Sequence, residues 1–174
     1  AAAMRGASIY LGYTLVGGAL TLTGIIWLRH VAGPIEFTSG GALGEIGPGA
    51  ETQLRLAFGL LVAGVGVKAA LVPLHGWLPN AMVAPAPVSA LLHAVAVVKA
   101  GAFGLVRVVF DVFGVENAQA LGLLTPLTGI AVTTILWGSV RALAQSDLKR
   151  RLAYSTVSQV SYIALGISLV GPVA

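Results

Sequence analysis

The chain has 174 residues, of which 57% are hydrophobic and only 9% are charged, and its mean hydropathy is +0.93. Ordinary soluble domains carry about 25% charged residues, so this composition predicts a membrane protein. The net charge of +4 does not predict a nucleic-acid partner, because the ten Lys and Arg residues are scattered, and the absence of cysteine excludes disulfides and thiolate metal sites.

Five apolar stretches are each long enough to cross a bilayer, which takes about 20 mostly apolar residues per helix. The predicted fold class is therefore all-α, a polytopic transmembrane helix bundle with about five spanning helices. The spans are predicted at residues 8–28, 54–74, 87–110, 118–143 and 152–170.

The segments between these spans predict how the helices connect. Residues 31–53 are rich in Gly, Pro and Glu and predict an extramembrane loop, whereas 111–117 and 145–151 predict short polar turns between antiparallel neighbours. Since short cytoplasmic loops favour Lys and Arg, Lys149, Arg150 and Arg151 place the last turn inside. Segments 31–53 and 111–117 then lie outside and 75–86 lies inside, with Arg29 as the exception.

Two lysines and a histidine lie inside the predicted spans. At 1.5 Å per residue, Lys99 is about 18 Å into the third span, near the bilayer midplane, and His93 is about 9 Å in. Lys68, counted back along the second span, reaches about the depth of His93. A lysine at the centre of a membrane helix costs about 2.5 to 3.5 kcal/mol on insertion scales, so we expect these residues to be functional.

The functional interpretation is a proton relay through Lys68, His93 and Lys99, because amines kept away from water can exchange protons and histidine can pass them on. In the alternative interpretation, each lysine extends its ammonium group to the headgroups and His93 only packs. His75, beside Trp77 at an interface, is either an entry group or a polar end residue.

Further residues fit either a proton path or simple helix packing. Pro73 lacks a backbone donor and predicts a helix break below Lys68, and broken helices with ionisable neighbours recur at transporter ion sites. The other interpretation of the prolines in this region is a plain interhelical turn. In the fifth span, helical spacing puts four polar residues on one face, which either contacts a partner helix, the favoured reading, or lines a wetted path. These residues are Ser155, Ser158, Gln159 and Tyr162.

Two runs identify a resemblance. The run VKAALVPLHGWLPNAMVAPAPVSALLHAVAVVKAG at 67–101 and the run SDLKRRLAYSTVSQ at 146–159 resemble the antiporter-like, proton-conducting membrane subunits shared by respiratory complex I, Mrp-type sodium/proton antiporters and membrane-bound hydrogenases. The stretches around Lys99 and Gln159 are more similar to the cation-antiporter branch.

This resemblance implies roles for the matching residues. Lys68 matches the central proton-binding lysine of the first half-channel, on a broken helix, and His93 and Lys99 match positions that carry protons toward the second. Family members have about fourteen helices in two inverted five-helix repeats, so the chain is expected to be one transmembrane region of a longer subunit. The partner glutamate and the ionisable residue of the second half-channel are then expected to lie outside it.

The expected function is translocation of protons, or exchange of Na⁺ for protons, in a bacterial or archaeal cell membrane. The expected partners are the lipid bilayer and other membrane subunits of a multisubunit complex, and no cofactor is expected. One alternative is a structural subunit of such a complex that does not conduct. Another, a membrane enzyme with its own chemistry, is weak because no nucleophile and base pair or cofactor loop is visible in the sequence.

Overall fold

The computed structural model describes residues 2–35, 41–43, 49–91 and 96–170, and within these ranges every regular element is helical. Four helices are long, and shorter helical turns connect them. The α-helices are α1 (Ala2–Ala32), α2 (Glu51–Ala69), α3 (Trp77–Asn80), α4 (Ala86–Ala90), α5 (Val97–Arg107), α6 (Val115–Ala120), α7 (Leu124–Leu143) and α8 (Leu148–Leu169). Two 3₁₀ turns, Leu74–Gly76 and Ala81–Val83, flank α3, and a π-helical turn, Val108–Phe113, continues α5.

Four helical runs of the described chain are long and apolar enough to cross a membrane, at Ala3–Ala32, Glu51–Val83, Leu124–Leu143 and Leu148–Leu169. They match the first, second, fourth and fifth predicted spans. The third predicted span, 87–110, is described as two separate helices, α4 and α5, with residues 92–95 outside the described part. The all-α, multi-pass fold class is confirmed.

The predicted polar turn at 111–117 is wrong, because most of these residues are helical. Asp111 forms an ion pair with Arg107 one turn earlier, with Oδ2 and Nη1 2.8 Å apart, and such pairs stabilise a continuing helix. The helical path turns at Gly114, whose φ of +76° is a conformation that glycine adopts readily. The connection to α7 follows α6, where Gly122 has a φ of +65°.

The predicted turn at 145–151 is also too long, because α8 begins within it. The Asp147 side chain accepts a hydrogen bond from the Lys149 backbone N–H at 2.8 Å, which caps α8 at its first turn. Lys149, Arg150 and Arg151 therefore belong to the start of α8, and only four residues, 144–147, separate it from α7.

The pairing of loops at the two ends of the bundle is as predicted. Asn117 donates a side-chain hydrogen bond to the carbonyl of Leu43 at 3.1 Å, so the first loop and the α5–α7 connection lie at one end. At the other end, the Lys149 ammonium group lies 3.5 Å from the carbonyl of Ala84, in the connection before α4. Which end faces the cytoplasm stays a prediction.

Helix α2 lies between α1 and α5, and small residues make this packing close. A Cβ added to Gly17 on α1 would lie 2.9 Å from the Cβ of Val67, and one added to Gly64 on α2 would lie 2.7 Å from the carbonyl oxygen of Gly17. Small residues let membrane helices approach and gain dispersion contacts, which replace the hydrophobic drive that lipid removes. Close packing against α1 and α5 therefore restricts movement at the end of α2.

Candidate functional site

Lys68 lies in the last turn of α2, and its side chain is exposed on the surface of the described chain. It lines a cavity of about 270 Å³ between α1, α2 and α5. The other lining residues are Tyr10, Thr14, Val67, Trp77, Ala96, Val97 and Ala100. Neither of the two ion pairs among the described residues, Glu51 with Arg55 and Arg107 with Asp111, includes Lys68. Two hydroxyl residues, Tyr10 and Thr14, thus line the cavity with Lys68, and no carboxylate of the described residues pairs with it.

Helix α2 ends one residue after Lys68, at Ala69. Ala70 adopts left-handed backbone angles, with φ 56° and ψ 40°, and its N–H bonds to the Val67 carbonyl at 3.2 Å. The Leu71 N–H bonds to the Gly66 carbonyl at 3.0 Å, which completes a Schellman cap. A helix carries partial negative charge at its C-terminus, so the cap places the Lys68 ammonium where that dipole favours a cation.

Trp77 covers the capped end of α2. Its indole Nε1 donates to the Val67 carbonyl at 2.7 Å, and only 1% of the residue is exposed. The Tyr10 ring packs against it with ring centroids 5.3 Å apart. An indole N–H that is buried needs such an acceptor, and here the acceptor is the carbonyl one residue before Lys68. Trp77, named from the sequence only as a neighbour of His75, thus forms one wall of the Lys68 cavity.

Lys99 lies on the helix that crosses α2 next to Lys68. The crossing is at Gly101, where an added Cβ would lie 2.6 Å from the carbonyl carbon of Lys68 and 2.7 Å from the Cα of Ala69. Lys99 precedes this contact by two residues, and its side chain is exposed. It does not line the Lys68 cavity, although Ala100 does. Both lysines therefore lie on helices in backbone contact, but only Lys68 lines this cavity.

His93 falls within residues 92–95 and lies outside the described residues. The chain on either side of it is described: α4 ends at Ala90, and the Ala96 N–H bonds to the Leu91 carbonyl at 3.1 Å. Its role beside Lys68 stays a prediction.

His75 and Pro73 lie in the connection below α2. Pro73 immediately precedes the 3₁₀ turn Leu74–Gly76. His75 Nε2 accepts a hydrogen bond from the Trp137 indole at 3.2 Å, which assigns the proton of the neutral ring to Nδ1. That Nδ1 is buried and has no hydrogen-bond partner in the described chain. His75 is therefore oriented by α7, with one ring nitrogen available to a further partner.

A cation and two aromatic rings surround His75. The His75 ring centroid is 6.4 Å from that of Trp137 and 6.2 Å from that of Tyr154. The Arg141 guanidinium carbon lies 5.8 Å from the Trp137 centroid and 5.5 Å from the Tyr154 centroid, within the range of cation–π contacts. Neither Tyr154 nor Trp137 was predicted from the sequence to lie beside His75.

The four polar residues of α8 do not share one environment. Ser158 is 3% exposed, and its hydroxyl lies 3.0 Å from the Ser139 hydroxyl and 3.2 Å from the Ile135 carbonyl, both on α7. Ser155 is half-buried, whereas Gln159 and Tyr162 are exposed. Ser158 thus joins two helices, and the exposed pair faces outward from the described bundle.

Replacing Ser158 with alanine should weaken the α7–α8 pairing by about 0.6 kcal/mol, the average for hydrogen bonds between membrane helices. The measurement is denaturant unfolding of the full-length subunit in micelles. The matched control is Thr156→Val, because among the described residues the Thr156 hydroxyl bonds only to Leu152 in its own helix. Equal stability losses in both variants would show that the interhelical contact contributes nothing.

Two hydroxyl residues of the Lys68 cavity, Tyr10 and Thr14, were not predicted from the sequence. They are four residues apart on α1, and Thr14 donates to the Tyr10 carbonyl at 2.6 Å. Polar residues at this spacing within an apolar span share a helix face, so the pattern was available. What the sequence lacked was any sign that this face of α1 turns toward Lys68.

The sequence of the chain matches a known protein family. The family model described as NADH:quinone oxidoreductase/Mrp antiporter, TM, matches residues 1–173. NADH-quinone oxidoreductase subunit N of Desulforudis audaxviator is 46% identical over 119 residues, which cover 66% of this chain and 23% of that protein.

Three solved structures share the fold. The membrane-bound sulfane sulfur reductase, an archaeal respiratory complex, gives a TM-score of 0.76 at 28% identity over 96% of this chain and 34% of that one. Respiratory complex I from Thermus thermophilus gives 0.70 at 31% identity over 94% and 34%. The Mrp complex from Dietzia sp. DQ12-45-1b gives 0.76 over 98% and 30%, but its 22% identity supports the fold alone.

The chain spans between about a fifth and a third of the length of these proteins, from 23% to 34%. The expected similarity to the cation-antiporter branch stays a prediction, because the Mrp complex has the lowest identity of the three structures. The family match itself covers nearly the whole sequence and confirms the resemblance. This chain belongs to the NADH:quinone oxidoreductase/Mrp antiporter family of transmembrane subunits.

Proposed function

We propose that the protein translocates protons, or exchanges a cation for protons, as a membrane subunit of a complex I-like or Mrp-type assembly. Lys68 is the central proton-binding group of this proposal. The observation that carries it is the position of Lys68 at the capped end of a broken membrane helix, where it lines a cavity with two hydroxyl residues. Irregular backbone at membrane depth is tolerated where it is buried in protein or lines water, which fits a hydrated path at this point.

His93 and Lys99 continue the path in this proposal. Support for Lys99 comes from the close crossing of α2 and α5 at Gly101, which brings the two lysine-bearing helices into backbone contact. Support for His93 comes from its position between α4 and α5 in the sequence. His75 is proposed as the entry group at the loop end, because its buried Nδ1 can donate a proton to a partner outside the described residues.

The proposed partners follow from the family and from the composition. Further membrane subunits complete the assembly, as in the multisubunit complexes that share the fold. The lipid bilayer surrounds the exposed apolar side chains of α1 and α7, such as Leu15 and Leu136, which are 72% and 62% exposed. The proposed location is the cell membrane of a bacterium or archaeon, with H⁺ and in the antiporter case also Na⁺ as transported ions.

The test is ion flux in proteoliposomes that contain the complete assembly. With a pH-sensitive dye inside the vesicles, the wild type should change the internal pH under its driving reaction, and a variant with both Lys68 and Lys99 replaced by glutamine should not. Repeating the measurement with and without Na⁺ distinguishes exchange from proton transport. Full flux in the double variant would instead support the non-conducting structural subunit.

A further inference from the structure

The backbone of the break that follows Lys68 is hydrogen-bonded almost entirely within itself. Among residues 70–74, the N–H groups of 70, 71 and 74 bond to carbonyls of residues 66–71, at 3.2, 3.0 and 2.6 Å. Pro73 has no N–H to donate. The remaining donor, the N–H of Val72, bonds to the hydroxyl oxygen of Thr134 at 3.0 Å. One donor of the break is thus satisfied from a different helix.

The burial of Thr134 and its own hydrogen bond favour this contact. It lies in the middle of α7, is 0% exposed, and donates its own hydroxyl hydrogen to the Ile130 carbonyl at 2.7 Å. Because that hydrogen points back along the helix, the oxygen is left to accept from Val72. Without this acceptor the Val72 N–H would be unpaired at membrane depth, where an unsatisfied backbone group is costly.

The contact joins two parts of the chain that are distant in sequence. Val72 and Thr134 are 62 residues apart, and Val72 follows Lys68 by four residues. The connection from Lys68 to Val72 is capped and bonded internally, so displacement of Val72 displaces the end of α2. A hydroxyl on α7 therefore links the break directly to a helix other than α1 and α5.

We propose that Thr134 is a positioning residue for Lys68: by accepting the Val72 N–H it anchors the helix break and fixes the end of α2 on which Lys68 lies. This proposal rests on the proposed function of Lys68 for its effect on transport. The anchoring itself has a readout that does not depend on transport.

The experiment compares three variants of the full-length subunit in its complex. Thr134→Val keeps the shape of the side chain and removes the acceptor, whereas Thr134→Ser keeps the hydroxyl. Thr133→Val is the matched control, because within the described part of the chain the neighbouring Thr133 hydroxyl bonds only to Gly129 in its own helix, at 2.8 Å. Hydrogen–deuterium exchange with residue-level fragmentation reports on the Val72 amide, and dye flux over a pH series reports on Lys68.

Thr134→Val should raise the exchange rate of the Val72 amide by about fivefold, the scale of one net hydrogen bond, and should change the pH profile of flux. Thr134→Ser should restore both, and Thr133→Val should alter neither. Wild-type exchange at Val72 in Thr134→Val overturns the proposal. Raised exchange with an unchanged pH profile also overturns it, provided that Lys68→Ala abolishes flux in the same complex. If the proposed function of Lys68 is wrong, Lys68→Ala will show normal flux. The exchange rate of the Val72 amide still tests the anchor in that case.

Discussion

Replacing Lys68 with alanine is expected to lower proton translocation by a factor on the order of one hundred or more while the complex still assembles. A positioned proton-transfer group typically contributes about that much to a rate. Assembly should survive because the Lys68 side chain is exposed on the described chain and joins no ion pair there. The measurement is dye flux in proteoliposomes, normalised to the amount of complex purified.

Lys68→Arg separates proton exchange from simple charge. Arginine keeps the positive charge at the end of α2 but does not release its proton. If Lys68 transfers protons, the arginine variant should assemble and fail to translocate. If Lys68 only extends to the headgroups as a fixed cation, arginine should support full flux, which would contradict the proposed relay. Lys149→Ala, which removes an exposed ammonium group at the α8 start, is the control for effects of charge loss.

Gly101→Ala is expected to have the largest effect on stability, a loss of about 1 to 3 kcal/mol, the usual scale of overpacking. The added Cβ would lie 2.6 Å from the carbonyl carbon of Lys68, and because its neighbours are backbone atoms they cannot rotate away. Helices α2 and α5 must then separate, which also displaces Lys68 and should reduce flux. Unfolding in denaturant and flux per assembled complex measure the two effects.

The matched control is Gly129→Ala on α7, where an added Cβ has no neighbour within 4 Å in the described structure. In a helix interior this change should be neutral or stabilising by up to about 1 kcal/mol. A Gly101→Ala variant as stable as the Gly129→Ala variant would mean that the close crossing does not hold the end of α2.

The membrane fold could be predicted from the sequence because lipid imposes strong constraints on length and polarity. Four of the five spans and the pairing of loops at each end followed from apolar length and from Lys149, Arg150 and Arg151. The boundaries could not be predicted as well. The Arg107–Asp111 pair and the Asp147 cap extend helices into segments that look like polar loops. Charged residues occur both at helix ends and in loops, so the sequence pattern does not distinguish the two.

The site could be predicted only where a residue is conspicuous by itself. A lysine in an apolar run stands out, and Lys68 was predicted from its position in such a run, although its role stays a prediction. Thr134 could not, because a threonine in a membrane helix usually bonds to its own backbone, and Thr133 beside it does only that. The same holds for Tyr10 and Thr14, whose role depends on which face of α1 packs near Lys68.

The central claim is that the Lys68 amine gains and loses a proton during transport, and the most direct test observes that amine. In lysine-¹⁵N-labelled complex in lipid nanodiscs, the side-chain Nζ signal missing from Lys68→Gln identifies Lys68. If Lys68 transfers protons, this signal should convert between the ammonium and the neutral amine form within the pH range over which the complex translocates. A Lys68 signal that stays in the ammonium form throughout that range while transport continues would contradict it.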